Sequence, residues 1–183
     1  MKYRHFNQPG VAAKAIRFPT ILTAAAIGLS LNAPVSAQTS FFAGLKGAFE
    51  VPTVSSSGVG LFTATVDDGD TVLSYSLFYR DLPTSVQQAH IHIGQAGANG
   101  GIVVFLCTNL GNGPAGTPAC PEDSGTVQGS LTAADVVAVS AQGFDEGDFA
   151  EVLKAIREGN AYANVHTEAF PPGEIRGQII AGP

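Results

Sequence analysis

The chain has 183 residues, of which 45% are hydrophobic and 13% charged, with 22 glycines, 11 prolines and no tryptophan. Four of its nine basic residues but none of its fifteen acidic residues lie within the first 37 positions. The rest of the chain therefore has five basic and fifteen acidic residues, a net charge of −10. Such a surface repels phosphate backbones and argues against nucleic acid as a partner. The glycine and proline content indicates a turn-rich β protein rather than a helical bundle.

The first 37 residues have the pattern of a secretory signal. A basic start is followed by the apolar stretch ILTAAAIGLSL at 21–31 and by small residues at Val35, Ser36 and Ala37. We predict cleavage before Gln38, which leaves residues 38–183 as one domain. An apolar stretch of this length is too short for a bilayer, which needs about 20 residues. We therefore expect an exported protein, periplasmic or extracellular, with no membrane span in its mature form.

Short segments with alternating apolar and polar side chains follow one another along the mature chain. Asp68 and Gly69 mark a tight hairpin turn between two of them, since glycine accepts a positive φ. Seven or eight such strands predict an all-β fold, a Greek-key antiparallel β-sandwich. The predicted strands cover residues 41–51, 60–67, 71–80, 89–93, 102–106, 125–131, 161–167 and 174–180.

Two short helices are predicted in the connections between strands. Thr132 can cap a helix over 133–139. A second helix is predicted to begin at Asp148, with Glu151 three residues later in a capping-box-like arrangement, and to end at Gly159. The apolar stripe of this second helix consists of Phe149, Val152, Leu153 and Ile156.

Both cysteines, Cys107 and Cys120, belong to the predicted mature chain. In an oxidising compartment two such residues usually pair, and the glycine- and proline-rich segment between them reads as a loop. A bridge would close a loop of about 14 residues and stabilise the fold by about 3 kcal/mol. The alternative is a pair of free thiols that bind a metal or serve in redox chemistry. The spacing favours the structural disulfide because it is not Cys-x-x-Cys.

The three histidines of the mature chain lie in two strand-like segments. His90 and His92 share one face of the first segment, and His166 shares a face of the second with Tyr162 and Asn164. Imidazole is a common ligand of Cu²⁺ and Zn²⁺, and a His-x-His pair with a third histidine from a neighbouring strand would form a three-nitrogen site. The other interpretation is a structural polar cluster of neutral histidines that bond to backbone carbonyls.

A second polar set surrounds the end of the chain. Glu174 and Arg176 share a strand face, and we expect Arg176 to form an ion pair with Glu174 or with Glu50 that ties strands together. The preceding segment 171–173 (Pro-Pro-Gly) is interpreted as a turn. No nucleophile motif or phosphate-binding loop is present in the sequence, so we expect no enzymatic activity.

Three motifs in the same order carry a family resemblance. The segments GAFEVPTVSSSG (47–58), AHIHIGQAGANGGIVVFL (89–106) and NAYANVHTEAFPPGEIRGQI (160–179) resemble the CHRD domain, a module named after chordin. The resemblance extends over about residues 40 to 181. It implies an immunoglobulin-like antiparallel β-sandwich and, by analogy with chordin, a non-enzymatic extracytoplasmic binding or structural module. Its partner would be an unknown protein or a cell-envelope component. The alternative function is copper or zinc binding through His90, His92 and His166.

Overall fold

The computed structural model describes residues 39–182, so the predicted signal segment lies outside the described residues. Nine strands and one α-helix form the domain. The helix α1 is Phe149–Arg157, in the connection between the sixth and seventh strands. The strands are β1 (Ser40–Lys46), β2 (Val59–Val66), β3 (Leu73–Arg80), β4 (Val86–Ile93), β5 (Ile102–Thr108), β6 (Gly125–Leu131), β7 (Ala161–Thr167), β8 (Ile175–Gln178) and β9 (Ile180–Ala181).

All strand pairs are antiparallel, and the order across the sheet is β5-β4-β7-β8-β1-β2-β3-β6, with β9 beside β1. The two end strands, β5 and β6, contact each other. The Tyr75 hydroxyl on β3, the neighbour of β6, donates a hydrogen bond to the Leu106 carbonyl on β5 at 2.5 Å. The sheet therefore bends around a single core, between a sandwich and a nearly closed barrel. The predicted all-β class is confirmed.

The inner face of the sheet supplies most of the core. On β3 the predicted alternation holds, with Leu73, Tyr75, Leu77 and Tyr79 all at most 5% exposed. The apolar stripe of α1 is buried as well and covers one end of the core. Burial of these side chains is the main favourable contribution to folding. Within residues 39–182 no helix is long and apolar enough to cross a membrane.

Several predicted element boundaries were wrong. The first strand ends at Lys46 rather than at residue 51, because a 3₁₀ turn follows at once. The predicted helix over 133–139 is only a 3₁₀ turn, Ala133–Asp135, although Thr132 and Asp135 form a capping box there. At the start of α1, by contrast, Asp148 makes no side-chain cap, and Glu151 contacts Lys154 instead.

The predicted disulfide between Cys107 and Cys120 is confirmed. Both residues are buried, and the Cα atoms lie 5.0 Å apart. The bridge fastens the loop 108–119 to the end of β5. Asn109 completes this attachment, since its side chain donates to the carbonyls of Val86 and Cys120.

Both faces of the sheet are buried around β4 and β7, which is not what an alternating pattern predicts. Every residue of β7 is buried, including the polar ones. The outer, polar face is covered by three loops, residues 47–58, 94–101 and 168–174, which we call the covering loops. Two of them are joined directly, because the Asn99 side chain donates a hydrogen bond to the Val51 carbonyl at 3.0 Å. The polar face is therefore enclosed rather than open to water.

Candidate metal centre

Strand register brings the three histidines together. β4 and β7 are antiparallel neighbours, with His90 opposite Asn164, His92 opposite Tyr162, and His166 opposite Gln88. Residues directly opposite each other in an antiparallel pair point to the same face of the sheet. The two segments singled out in the sequence therefore form one continuous polar surface beneath the covering loops.

The three imidazole rings form a compact and buried group. His90 is fully buried, and His92 and His166 are 7% and 5% exposed. The ring centroids lie 4.8 Å apart for His90 and His166, 5.5 Å for His90 and His92, and 5.6 Å for His92 and His166. One nitrogen from each ring can be chosen so that all three lie within 4.8 Å of one another.

The tautomers of two histidines follow from their hydrogen bonds. His92 Nδ1 lies 3.0 Å from the Gly100 carbonyl, and His166 Nδ1 lies 2.9 Å from the Pro171 carbonyl. Because a carbonyl only accepts, both Nδ1 atoms carry the proton and donate it. The lone pair of each neutral ring is then on Nε2. Metal-binding histidines are commonly oriented in this way, with the second nitrogen bound to a carbonyl or carboxylate.

The remaining imidazole nitrogens have no hydrogen-bond partner among the described residues. They are both nitrogens of His90 and the Nε2 atoms of His92 and His166. The His90 ring also meets Phe105 edge to face at 4.4 Å, so an apolar side chain closes this side of the group. Buried polar atoms are normally satisfied, and unsatisfied ones call for an explanation. A metal ion would bind three of these four nitrogens, one from each ring.

Burial keeps the histidines neutral. Loss of solvation lowers the pKa of His92 to about 4 and, together with the neighbouring imidazoles, the pKa of His90 to about 2. The same loss of solvation lowers the pKa of His166. Neutral imidazole is the form that binds a metal, so no proton has to leave these rings at pH 7.

A buried ion pair lies beside the group. Arg176 Nε is 3.1 Å from Glu50 Oε2, and both side chains are at most 5% exposed. The guanidinium also donates to the carbonyls of Phe49 and Ala98 and to the Asn99 side chain, so one residue holds two covering loops. Desolvation raises the pKa of Glu50 to about 7, although Arg176 acts in the opposite direction.

Aromatic stacking connects this ion pair to the histidines. The Tyr162 ring stacks on His92 at 4.9 Å with an interplanar angle of 6°, and the Arg176 guanidinium lies 4.7 Å from the Tyr162 ring centroid. The Tyr162 hydroxyl accepts a hydrogen bond from the backbone of Gly100, whose carbonyl binds His92. The loop 94–101 therefore sets the orientation of His92 from both sides.

Glu174 lies apart from this stack. Its carboxylate accepts hydrogen bonds from the hydroxyls of Ser56 and Thr167, each at 2.5 Å, and it is fully buried. Its partners are therefore hydroxyl groups, whereas the partner of Arg176 is Glu50. Glu174 joins the covering loop 47–58 to the end of β7.

One interpretation of the sequence had the histidines bonded to backbone carbonyls, but it did not identify which carbonyls. The segment 171–173 was expected to be only a turn, yet its Pro171 carbonyl orients His166. Gly173 has a φ of +134°, and a Cβ at this position would lie 2.8 Å from Glu50 Oε1 and 2.7 Å from Asn164 Nδ2. A carbonyl carries no residue-specific signal, so only the glycine could have indicated this close approach.

The donor set fits a transition-metal ion. Three nitrogens around one tetrahedral ion are separated by about 3.3 Å when each metal–nitrogen bond is 2.0–2.1 Å long. A contraction of roughly 1 to 1.5 Å from the observed spread would close the site around an ion. His90, His92 and His166 would hold the ion, and such a site suits copper or zinc rather than calcium or magnesium, which prefer oxygen ligands.

Comparison with known proteins places the chain in a family. The sequence matches the CHRD domain over residues 41–179, and the chain therefore belongs to the CHRD domain family. The match covers β2 to β8, nearly all of β1, the histidine group and the covering loops. Membership is consistent with a non-enzymatic module. No curated protein and no solved structure matches the chain.

Proposed function

We propose that this CHRD-domain protein is exported and acts as a non-enzymatic binding module that holds one copper or zinc ion at His90, His92 and His166. The observation that carries the proposal is the set of unpartnered imidazole nitrogens within 4.8 Å of one another. A purely structural cluster would be expected to satisfy them with hydrogen bonds. The disulfide supports export, because such bonds persist in oxidising compartments.

The test is a titration of the purified, metal-free protein with Cu²⁺ and with Zn²⁺, followed by calorimetry and elemental analysis. We expect one ion per chain and, for Zn²⁺ at a hundredfold excess over its Kd, a stabilisation of about 2.7 kcal/mol. Copper should bind more tightly than zinc, following the usual order of affinities for nitrogen ligands.

Variants separate this site from adventitious binding. His90→Ala, His92→Ala and His166→Ala should each abolish stoichiometric binding. Gln128→Ala, which changes an exposed polar residue on β6, should not alter it. Circular dichroism of each variant verifies that the fold is kept. If the folded wild-type protein binds neither ion, or if the histidine variants bind as well as wild type, the proposal is wrong.

A second candidate function is binding of a protein or cell-envelope component. It is favoured by an apolar strip on the outer face of β9, β1, β2 and β3. Leu61 and Phe78 are direct cross-strand neighbours, Phe42 pairs with Ile180, and these four side chains are 37–47% exposed. Contiguous exposed apolar residues often mark interaction surfaces.

A pull-down from cell-envelope extract tests this second function. The double variant Leu61→Ser, Phe78→Ser should lose any partner that the wild-type protein enriches. Leu110→Ser is the matched control, since Leu110 is 52% exposed but belongs to the loop 108–119. A partner retained equally by both variants would show that the strip is not the binding surface.

A further inference from the structure

The hydrogen-bond requirements of the histidine group extend beyond the three rings. Two oxygen atoms next to it, Glu50 Oε1 and Asn164 Oδ1, are also buried without a donor. Both are acceptors, whereas the imidazole lone pairs that face one another need a cation. A cation on the nitrogens and a donor between the oxygens would satisfy both needs at once.

Asn164 lies between the histidines on the sheet. It is directly opposite His90 on β4 and two residues before His166 on the same face of β7. On its other side it is opposite Arg176 of β8, the partner of Glu50. The asparagine amide therefore lies between the imidazoles and the buried ion pair.

Gly173 leaves room at this point. Glu50 Oε1 and the two amide atoms of Asn164 all lie within 2.9 Å of the position that a Cβ on Gly173 would occupy. The two unpartnered oxygens therefore surround one small volume, which any other residue at 173 would fill. The φ of Gly173 also favours glycine.

The described residues offer no fourth ligand of the usual kinds. Among the histidine, cysteine and carboxylate groups of the described residues, the three imidazoles form the one group of three or more that could hold an ion, and both cysteines are in the disulfide. Three nitrogens leave at least one coordination position of a divalent ion free. A water molecule on that position has two hydrogens to donate, and two unpartnered oxygens are present to accept them.

We propose, on the basis of the proposed metal site, that the bound ion keeps an exchangeable position for one small ligand. Water occupies it at rest and donates its hydrogens to Glu50 Oε1 and Asn164 Oδ1. Ligands of this class are small and monodentate, because Gly173 and the covering loops limit the space. Glu50 and Asn164 are positioning residues that hold the ligand without binding the ion.

The test uses the purified protein loaded with Co²⁺, an ion with a visible spectrum that reports its coordination, and sodium azide as the competing ligand. We expect azide to change the Co²⁺ spectrum in a saturable, one-to-one manner. Glu50→Gln removes the negative charge next to the ligand, so azide should bind to this variant at least about tenfold more tightly, because two negative charges a few ångströms apart repel strongly at the effective dielectric constant of a protein. Glu146→Gln, at an exposed carboxylate, should match wild type.

The outcomes separate this inference from the metal site itself. Failure to bind Co²⁺ would contradict both the metal site and the exchangeable position. Stoichiometric Co²⁺ binding with a spectrum that azide leaves unchanged would keep the metal site and overturn the exchangeable position. If azide changed the Co²⁺ spectrum of Asn164→Ala but not that of wild type, the amide of Asn164 would be the fourth ligand. Equal azide affinity in wild type and Glu50→Gln would overturn the role of Glu50.

Discussion

At the scale of single residues, Arg176 has the greatest structural consequence in the site. It joins β8 to two covering loops, neutralises Glu50 and stacks on Tyr162, all while buried. A buried charge that loses its partner is strongly destabilising, whereas an exposed ion pair contributes little. The protein offers both cases, because Arg80 and Asp81 form an ion pair on the surface.

We predict that Arg176→Met lowers the free energy of unfolding by about 3 to 5 kcal/mol, since Glu50 is left buried without a counter-charge. Arg80→Met should cost less than about 1 kcal/mol. Urea unfolding of both variants, followed by circular dichroism, measures the difference. Equal losses in the two variants would contradict the view that Arg176 organises the covering loops.

Residue types and spacing predicted which side chains form the site, but not that loops cover it. The His-x-His pattern and the alternation in 161–167 predicted which side chains share a face, and the structure has them on one face. The partners of His92 and His166 are backbone carbonyls in the loops that follow β4 and β7, and no residue type encodes a carbonyl. The polar face is buried because the covering loops lie over it. The alternation of apolar and polar residues in a strand does not specify the path of a loop.

At the scale of elements, the attachment of the loop 108–119 depends mainly on one covalent link. Residues 109–119 have no regular secondary structure, and the disulfide holds the two ends of this segment next to β5. A crosslink of this length stabilises the fold chiefly by restricting the unfolded chain.

We predict that Cys107→Ser, Cys120→Ser lowers the free energy of unfolding by about 3 kcal/mol. Reductant should destabilise wild type to the same degree and leave the double variant unchanged. Urea unfolding with and without reductant checks both statements. A wild-type protein indifferent to reductant throughout its unfolding transition would contradict the disulfide.

Element prediction succeeded where a pattern was long and local. The strands 125–131 and 161–167 were predicted to the residue, because alternation and flanking turns agree there. The helix over 133–139 failed although its capping signal was real, because β-branched valines follow. The Val137 N–H donates to the Val103 carbonyl of β5 rather than within a helix. The hairpin signal at Asp68 and Gly69 predicted one pair of neighbours, β2 and β3, which the structure has. Neighbours far apart in the chain were out of reach, as with β8 and β1.

At the scale of the whole molecule, the histidine group makes stability depend on pH. The three imidazoles have folded pKa values below the ordinary 6.5, because burial disfavours the charged form. Their stabilising contribution is therefore present above pH 6.5 and is lost as the pH falls towards the folded values. Glu50 has the opposite effect on stability, because its folded pKa of about 7 exceeds the ordinary 4.5. As the pH falls from 7, the folded form takes up a proton before the unfolded form does, and the folded form is stabilised.

Three depressed histidines outweigh one raised carboxyl group. We predict that the metal-free protein, kept in chelator, loses on the order of 3 kcal/mol of stability between pH 7 and pH 5. Glu50→Gln should steepen this loss, because the opposing group no longer titrates. A bound ion competes with protons for the same nitrogens, so zinc should protect the protein down to lower pH. Urea unfolding at half-unit pH steps measures stability against pH for the metal-free protein, for Glu50→Gln and for the zinc-bound protein. A metal-free curve that is flat between pH 7 and pH 5 would show that the imidazoles are not held neutral by burial.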